Sequence, residues 1–179
     1  IINSNYSAGK FGMSDLYQEI AEISKEEKEQ ITEVKAGETI WLIFLAGEKY
    51  YAIDSSLVQE VMRNADCYPL PFVPDYIPGV LNSYGTPYAV VNLDSFLSDS
   101  QQVSENNRFY LVLKDKNNVS FQVTDIQEFH NQSEVKFDEL NESKDSNFFT
   151  GTVSVDDIVA PVVNTEAIIE KVRKDLETR

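Results

Sequence analysis

The chain contains one histidine, His130, so any Ser–His–Asp relay would have to run through it. It lies in Glu128-Phe129-His130-Asn131 at a strand or turn end, with no nucleophile signature beside it, and reads as a surface histidine. Cys67 is the single cysteine. Alone it can form neither an internal disulfide nor a thiolate metal site, and it reads as a small, half-buried apolar residue ahead of a proline-rich stretch. The pair Asp156-Asp157 falls in a hairpin turn, where acids are ordinary, and no calcium-loop spacing surrounds it. No G-x-x-x-x-G-K and no G-x-G-x-x-G occurs, so no phosphate cradle is encoded. Thirty acidic residues offer many carboxylate pairs for glycoside chemistry, but none stands above the rest. The residues therefore point away from an enzyme, and to no metal and no cofactor.

The composition narrows the partners. A formal net charge of −15 disfavours binding to nucleic-acid phosphates or unaided adhesion to anionic lipid. Residues 15–38 carry eight acids and three bases, and the remaining acids are widely spread, as on a solvating surface. Apolar residues at 42% and aromatics at 11% are enough for a packed core. The apolar runs are too short to span a membrane, and no signal-peptide pattern opens the chain. Together with the lone cysteine, this makes the cytoplasm the expected compartment.

The elements that would position partner contacts are mostly strands. Residues 1–37 read as an N-terminal extension, helical over 13–35, with Leu16, Ile20 and Ile23 on one face. Thr39–Leu45 and Tyr50–Ile53 form a hairpin about Gly47-Glu48-Lys49. Ser55–Met62 reads as one or two helical turns, with Leu57, Val58 and Val61 grouped on a face. Residues 69–78 hold four of the six prolines and form a stiff extended crossing. Gly79–Asn82 pairs with Tyr88–Leu93 about a turn near Gly85, Phe109–Leu113 with Val119–Val123, and Phe148–Val155 with Ile158–Val163. Residues 98–107 and 131–147 read as polar connections, and Thr165–Leu176 as a closing helix.

The order of parts repeats. Trp41–Leu45, Tyr50–Ile53, then Val58 and Val61 correspond to Phe109–Leu113, Phe121–Val123, then Ile126 and Phe129. Gly79 leads to Val91-Asn92 and Leu97 at the offsets by which Gly151 leads to Val163-Asn164 and Ile169. Either any two hairpins look this much alike, or the chain builds two similar small barrels from consecutive hairpins. Each alone would be marginal, so they should share an apolar interface, with a groove between them as a partner site.

In order along the chain, these residues resemble the CheW-like family. Trp41–Asp54 is similar to its opening hairpin, and Leu57-Val58-Gln59-Glu60-Val61 to the Val-x-Glu-Val/Ile turn after it. Pro69-Leu70-Pro71 through Pro74, then Pro78-Gly79-Val80-Leu81-Asn82-Ser83-Tyr84-Gly85, resembles the proline-rich crossing and the Gly-Val-x-Asn-Leu-Arg-Gly signature. Tyr88–Leu93 resembles the Pro-Val-Val-Asp-Leu segment, and Phe149-Thr150-Gly151 with Val162-Val163-Asn164 the closing hairpin. The resemblance covers about residues 38–172.

It implies an all-β fold of two packed five-stranded β-barrels with an N-terminal and a C-terminal helix. The CheW-like domain would span 38–176, with 38–98 as the first barrel, 108–170 as the second, and elements able to exchange. It implies a non-enzymatic adaptor between the cytoplasmic tips of chemoreceptors and the regulatory domain of a CheA-type histidine kinase, recruited to receptor arrays without entering the membrane. Val58, Glu60 and Gly79 match groove positions of the family, and Asn82 and Tyr84 lie in its signature. Val58, Gly79 and Asn82 read equally well as core, turn and turn. Tyr84 stands where most members carry arginine, and Asn92 where many carry aspartate. Tyrosine cannot supply arginine's bidentate charge, which keeps a scaffold of a gliding or pilus pathway open as an alternative. A small-ligand barrel or an enzyme is the remaining one.

Overall fold

Trp41, Leu42, Ile43 and Phe44 are apolar in succession, and such a strand needs cover on both faces. The computed structural model describes residues 38–98, 108–140 and 148–177. The predicted helix over 13–35, and the rest of residues 1–37, lie outside them. Thr39–Arg179 forms one unit, to which all that follows refers.

The first half runs β1 (Ile40–Ala46), β2 (Lys49–Asp54), a 3-10 turn (Ser55–Leu57), β3 (Val58–Arg63), β4 (Cys67–Tyr68), the proline-rich crossing, β5 (Gly79–Ser83), β6 (Thr86–Asn92) and helix α1 (Leu93–Ser98). The second half repeats the series: β7 (Phe109–Leu113), β8 (Val119–Val123), β9 (Asp125–Asn131), a 3-10 turn (Gln132–Glu134), β10 (Lys136–Glu139), β11 (Phe149–Val155), β12 (Ile158–Val163) and helix α2 (Thr165–Glu177).

The two sheets run β10-β11-β12-β2-β1-β9 and β3-β7-β8-β6-β5-β4. Each has six strands where five were expected; β4 and β10, both short, are edge strands. Neither sheet belongs to one half of the chain. Hairpin β1–β2 lies between β12 and β9, and hairpin β7–β8 lies between β3 and β6. The exchange is reciprocal: each half lends its opening hairpin to the other. The inserted hairpins meet their hosts through one parallel ladder, Ala52↔Val162 or Val91↔Phe121, and one antiparallel ladder, Leu42↔Phe129 or Leu111↔Val61.

Alternation along the inserted strands divides their side chains among three cores. Leu42 and Phe44 of β1, with Leu111, Leu113 and Phe121 of β7 and β8, enter a shared core between the sheets, together with Val91, Ile168, Ile169 and Val172. Trp41 and Ile43 face the other way, into the first sheet's own core with Ala52, Val153, Ala160 and Val162. Tyr110 and Val112 face into the second sheet's core with Leu81, Tyr88 and Val90.

One side-chain contact in each sheet reaches from an edge strand to the strand next to the opposite edge. In the first sheet, Trp41 of β1 stacks on Phe137 of β10, with centroids 5.2 Å apart. In the second, Ser83 Oγ of β5 donates to Glu60 Oε2 of β3 at 2.7 Å. Both sheets therefore curl on themselves, though neither ladder closes.

The repeat extends to single atoms. Asn92 and Asn164 each donate their backbone N–H, at 2.8 Å, to the carbonyl three residues before the repeat glycine, that of Tyr76 or Phe148. Each side-chain Oδ1 accepts from a backbone N–H in the first turn of the next helix, Ser95 or Ala167, at 3.1 Å. These are helix N-cap contacts.

Several expectations need correction. Only Ser55–Leu57 is helical; Val58–Arg63 is a strand, with Val58, Glu60 and Met62 half-buried and Gln59, Val61 and Arg63 exposed. Leu57 and Val58 lie four and three residues before Val61, a helical grouping that masked this period of two. Residues 131–140 are not all connection, since β10 pairs with β11; residues 141–147 lie outside the described set, as do 99–107. His130 is no surface residue: its side chain is 15% exposed, with ring nitrogens 3.6 Å from Glu128 and 4.0 Å from Glu134.

Trp41→Ala removes the stack on Phe137 and strands Gln132 Oε1, which accepts from Trp41 Nε1 at 2.6 Å. A loss of about 3–5 kcal/mol is expected, read as a lowered urea midpoint; an unchanged midpoint would remove Trp41 from the core. Burial, aided by Asp94, raises the Tyr51 phenol above its ordinary 10.0, and burial raises Tyr110 likewise. Phenols raised in the fold keep their contribution below pH 10 and lose it as pH climbs beyond. Two of the nine tyrosines should thus ionise together with unfolding, seen by phenolate absorbance against circular dichroism; nine freely titrating phenols in the folded chain would contradict this.

Candidate partner-binding site

The five residues singled out in the sequence fall on β3, β5 and the turn after β5. The Ser83–Glu60 hydrogen bond brings four of them towards one place. Glu60 reaches Ser83, which lies between Asn82 and Tyr84, and Val58 sits two positions before Glu60 on the same strand. Gly79 begins β5 at its far end.

Their environments differ. Val58 pairs with Leu113 and packs against the shared core. Glu60 is half-buried, with its carboxylate bound to a hydroxyl that is only 4% exposed. Gly79 is buried at φ +155°, and a methyl group there would run into the Tyr68 carbonyl oxygen. A glycine is therefore required by the close passage of the crossing over β5. Asn82 is exposed, and its Oδ1 accepts from the Gly85 N–H at 2.8 Å, closing the turn. Tyr84 is 93% exposed. With Ser83 paired to Thr86, Tyr84 and Gly85 form a two-residue loop at φ +48° and +87°, the left-handed pair that hairpin twist favours. Gly85 suits its place; Tyr84 does not, since a left-handed conformation is costly for a large side chain.

Sequence reasoning passed over three features. Ser83 is the partner that orients Glu60; its signal was a polar residue at an inward position of β5, after Gly79 and Leu81. Leu57 and Val61 are each 40% exposed beside the edge of β3, which among the described residues pairs only with β7. Tyr68, Leu70 and Phe72 on the crossing are exposed as well.

The chemistry gathered here is that of contact. Cys67 is half-buried, and burial raises its thiol, with Arg108 opposing only in part, so it is a poor nucleophile. Among the described residues no group of three or more His, Cys, Asp or Glu side chains gathers as metal ligands do. An open cleft of about 400 Å³ lies elsewhere, between the β7–β8 turn and α2. Its charged lining, Lys114, Lys116 and Arg173 against Asp115, Glu166 and Glu170, favours neither sign.

Residues 41–173 match the profile of the CheW-like domain. Among solved structures, the scaffolding protein TtCheW from Thermoanaerobacter tengcongensis superposes with a TM-score of 0.62 at 17% identity, over 72% of this chain and 90% of that one. A search of curated proteins finds no match.

Gly79→Ala should cost about 1–3 kcal/mol through backbone overlap, and Tyr84→Asn should stabilise by about 1 kcal/mol because asparagine tolerates the left-handed region. Thermal denaturation checks both. A Gly79→Ala protein melting like the parent would refute the close passage, and a lowered melting temperature for Tyr84→Asn would show that Tyr84 packs on the barrel end.

Proposed function

The chain belongs to the CheW-like domain family, and on that premise we propose that it is a non-enzymatic scaffold that couples chemoreceptors to a CheA-type histidine kinase in chemotaxis signalling. The observation carrying this reading is the match over residues 41–173, which takes in both reciprocally joined halves. No helix among the described residues is long and apolar enough to cross a membrane. In this reading the chain works from the cytoplasm and meets the membrane through its receptors.

The β3 edge supports a receptor contact. Leu57 and Val61 offer apolar surface, and an amphipathic receptor helix would lay its apolar face along them. Val58 and Glu60 take part by holding this edge, Val58 through the shared core and Glu60 through Ser83. Gly79, Asn82 and Tyr84 shape and present the β5–β6 hairpin, with Tyr84 as its exposed aromatic anchor. The kinase's regulatory domain takes a separate face, and each contact is modest, on the order of 1,000 Å² or less. Multivalency in the array supplies the remainder.

Tyr84 in the family's arginine position favours a second reading, a scaffold of a gliding or pilus pathway. Asn92 adds little weight to it, because asparagine caps α1 as an aspartate would.

Titration calorimetry of the full chain against kinase regulatory domains and receptor-tip fragments of the source organism tests the coupling role. Binding to both is expected, with Kd on the order of micromolar. Val61→Glu should weaken the receptor contact tenfold or more and leave kinase binding unchanged. Absence of binding to either class would remove the proposal.

A further inference from the structure

Arg108 leads into β7, and it lies two positions before Tyr110, so the two fall on the same face of the chain. That face is the second sheet's own core. Tyr110 is fully buried there with Leu81, Tyr88, Val90 and Val112, and Cys67 of β4 packs against them. The loop from β3 to β4 closes over this end. Asn64 donates its backbone N–H to the Arg108 carbonyl at 2.8 Å, and its Oδ1 accepts from the Arg108 N–H at 3.3 Å. Burial raises the Tyr110 phenol, Cys67 adds to this, and Arg108 opposes it. Burial raises the Cys67 thiol, and Arg108 opposes that too. Phenol, thiol and guanidinium therefore lie within electrostatic reach of one another.

All three are donors, and the guanidinium is a donor only. Arg108 Nε and Tyr110 Oη are both buried, and among the described residues neither has a hydrogen-bond partner. No carboxylate among the described residues pairs with Arg108 either. Arginine keeps its charge at any ordinary pH, and a guanidinium drawn partly out of water is costly unless an acceptor meets it. The chain has thirty acids. The one felt at Tyr110, Asp66, is exposed and acts there more weakly than Cys67 or Arg108.

We propose that Arg108 Nε, Tyr110 Oη and Cys67 Sγ form a binding site for one small monovalent anion of the halide class, chloride foremost, at this end of the second sheet's core. The site goes beyond the coupling role proposed above and does not depend on it.

The donor set selects the class. An anion can accept from all three groups at once and offsets the guanidinium charge. A water molecule would accept from two of them, but of the three side chains only the phenol oxygen would serve its own hydrogens well. Burial penalises ions that hold their hydration tightly, which disfavours phosphate and fluoride against chloride and bromide. The net charge of −15 does not forbid the site, because exposed acids more than a Debye length away are screened.

The test is the linewidth of the chloride NMR signal as the full chain is titrated at fixed ionic strength, with bromide and fluoride as competitors. The parent should broaden the signal with a Kd on the order of millimolar. Bromide should compete, and fluoride should not. Tyr110→Phe keeps the ring in the core and removes one donor, so it should weaken chloride binding about tenfold while circular dichroism shows the parent's fold. Lys116→Gln, in the open cleft beside α2, should leave the broadening unchanged. A parent without chloride-specific broadening overturns the site. Broadening that persists in Tyr110→Phe, or that disappears in Lys116→Gln, places the ion elsewhere and overturns it as well. If Tyr110→Phe does not fold, Asp66→Asn decides: removing that exposed charge should tighten chloride binding about twofold, and affinity no tighter than the parent's overturns the assignment.

Discussion

Burial of both faces of two hairpins is the constraint on which the rest of the molecule depends. β1 and β7 carry apolar side chains at consecutive positions, and a strand of that kind is stable only between two layers of cover. The fold supplies both layers by placing each hairpin in the middle of the other half's sheet, with one face towards that sheet's own core and the other towards the shared one. β8 shows the same demand at its limit: all five of its residues are buried, including Ser120 and Gln122. Once the hairpins occupy the centres, β3, β4, β9 and β10 are left as the rims, and the proposed receptor contact uses one of them.

Rim and centre have different chemistry. The central strands offer no exposed large apolar residue except Tyr50 and Val159, whereas Leu57, Val61, Tyr68, Phe129 and Leu140 lie on or beside the rims. An adaptor needs several separate surfaces on a body that does not rearrange. Curled sheets fastened across their openings, by an aromatic stack in one and a hydrogen bond in the other, provide such a body.

Much of the architecture was legible because buried strands write themselves as apolar runs. β1, β2, β5 to β8, β11, β12 and α2 all appear that way, and the twin offsets from Gly79 and Gly151 expose the repeat. The rims were harder to read. β3 alternates, but Leu57, Val58 and Val61 also fit a helical face, and local periodicity cannot choose between the two. β4 has two residues, and β10 lies in a polar stretch. The exchange of hairpins has no local signature, since it concerns which strand pairs with which.

Of the candidate site, the turn role of Asn82 could be read from its type; Gly79, read as a turn, instead opens β5, where the Tyr68 carbonyl leaves no room for a side chain. The Glu60–Ser83 bond joins residues far apart in sequence and leaves no mark but a serine facing inward. Asn92, read as a departure from the family's aspartate, has its explanation in Asn164, which makes the same two contacts in the other half.

The reciprocal exchange also bears on how the chain is made. β1 waits for β9 and β2 for β12, so during synthesis the first hairpin emerges with its apolar faces bare and its hosts still untranslated. Such distant pairings are slow to form, because the intervening chain must be closed into a loop first. The first half therefore depends on the second, and an apolar hairpin stays uncovered while the chain from Asp54 to β9 and β12 is being made.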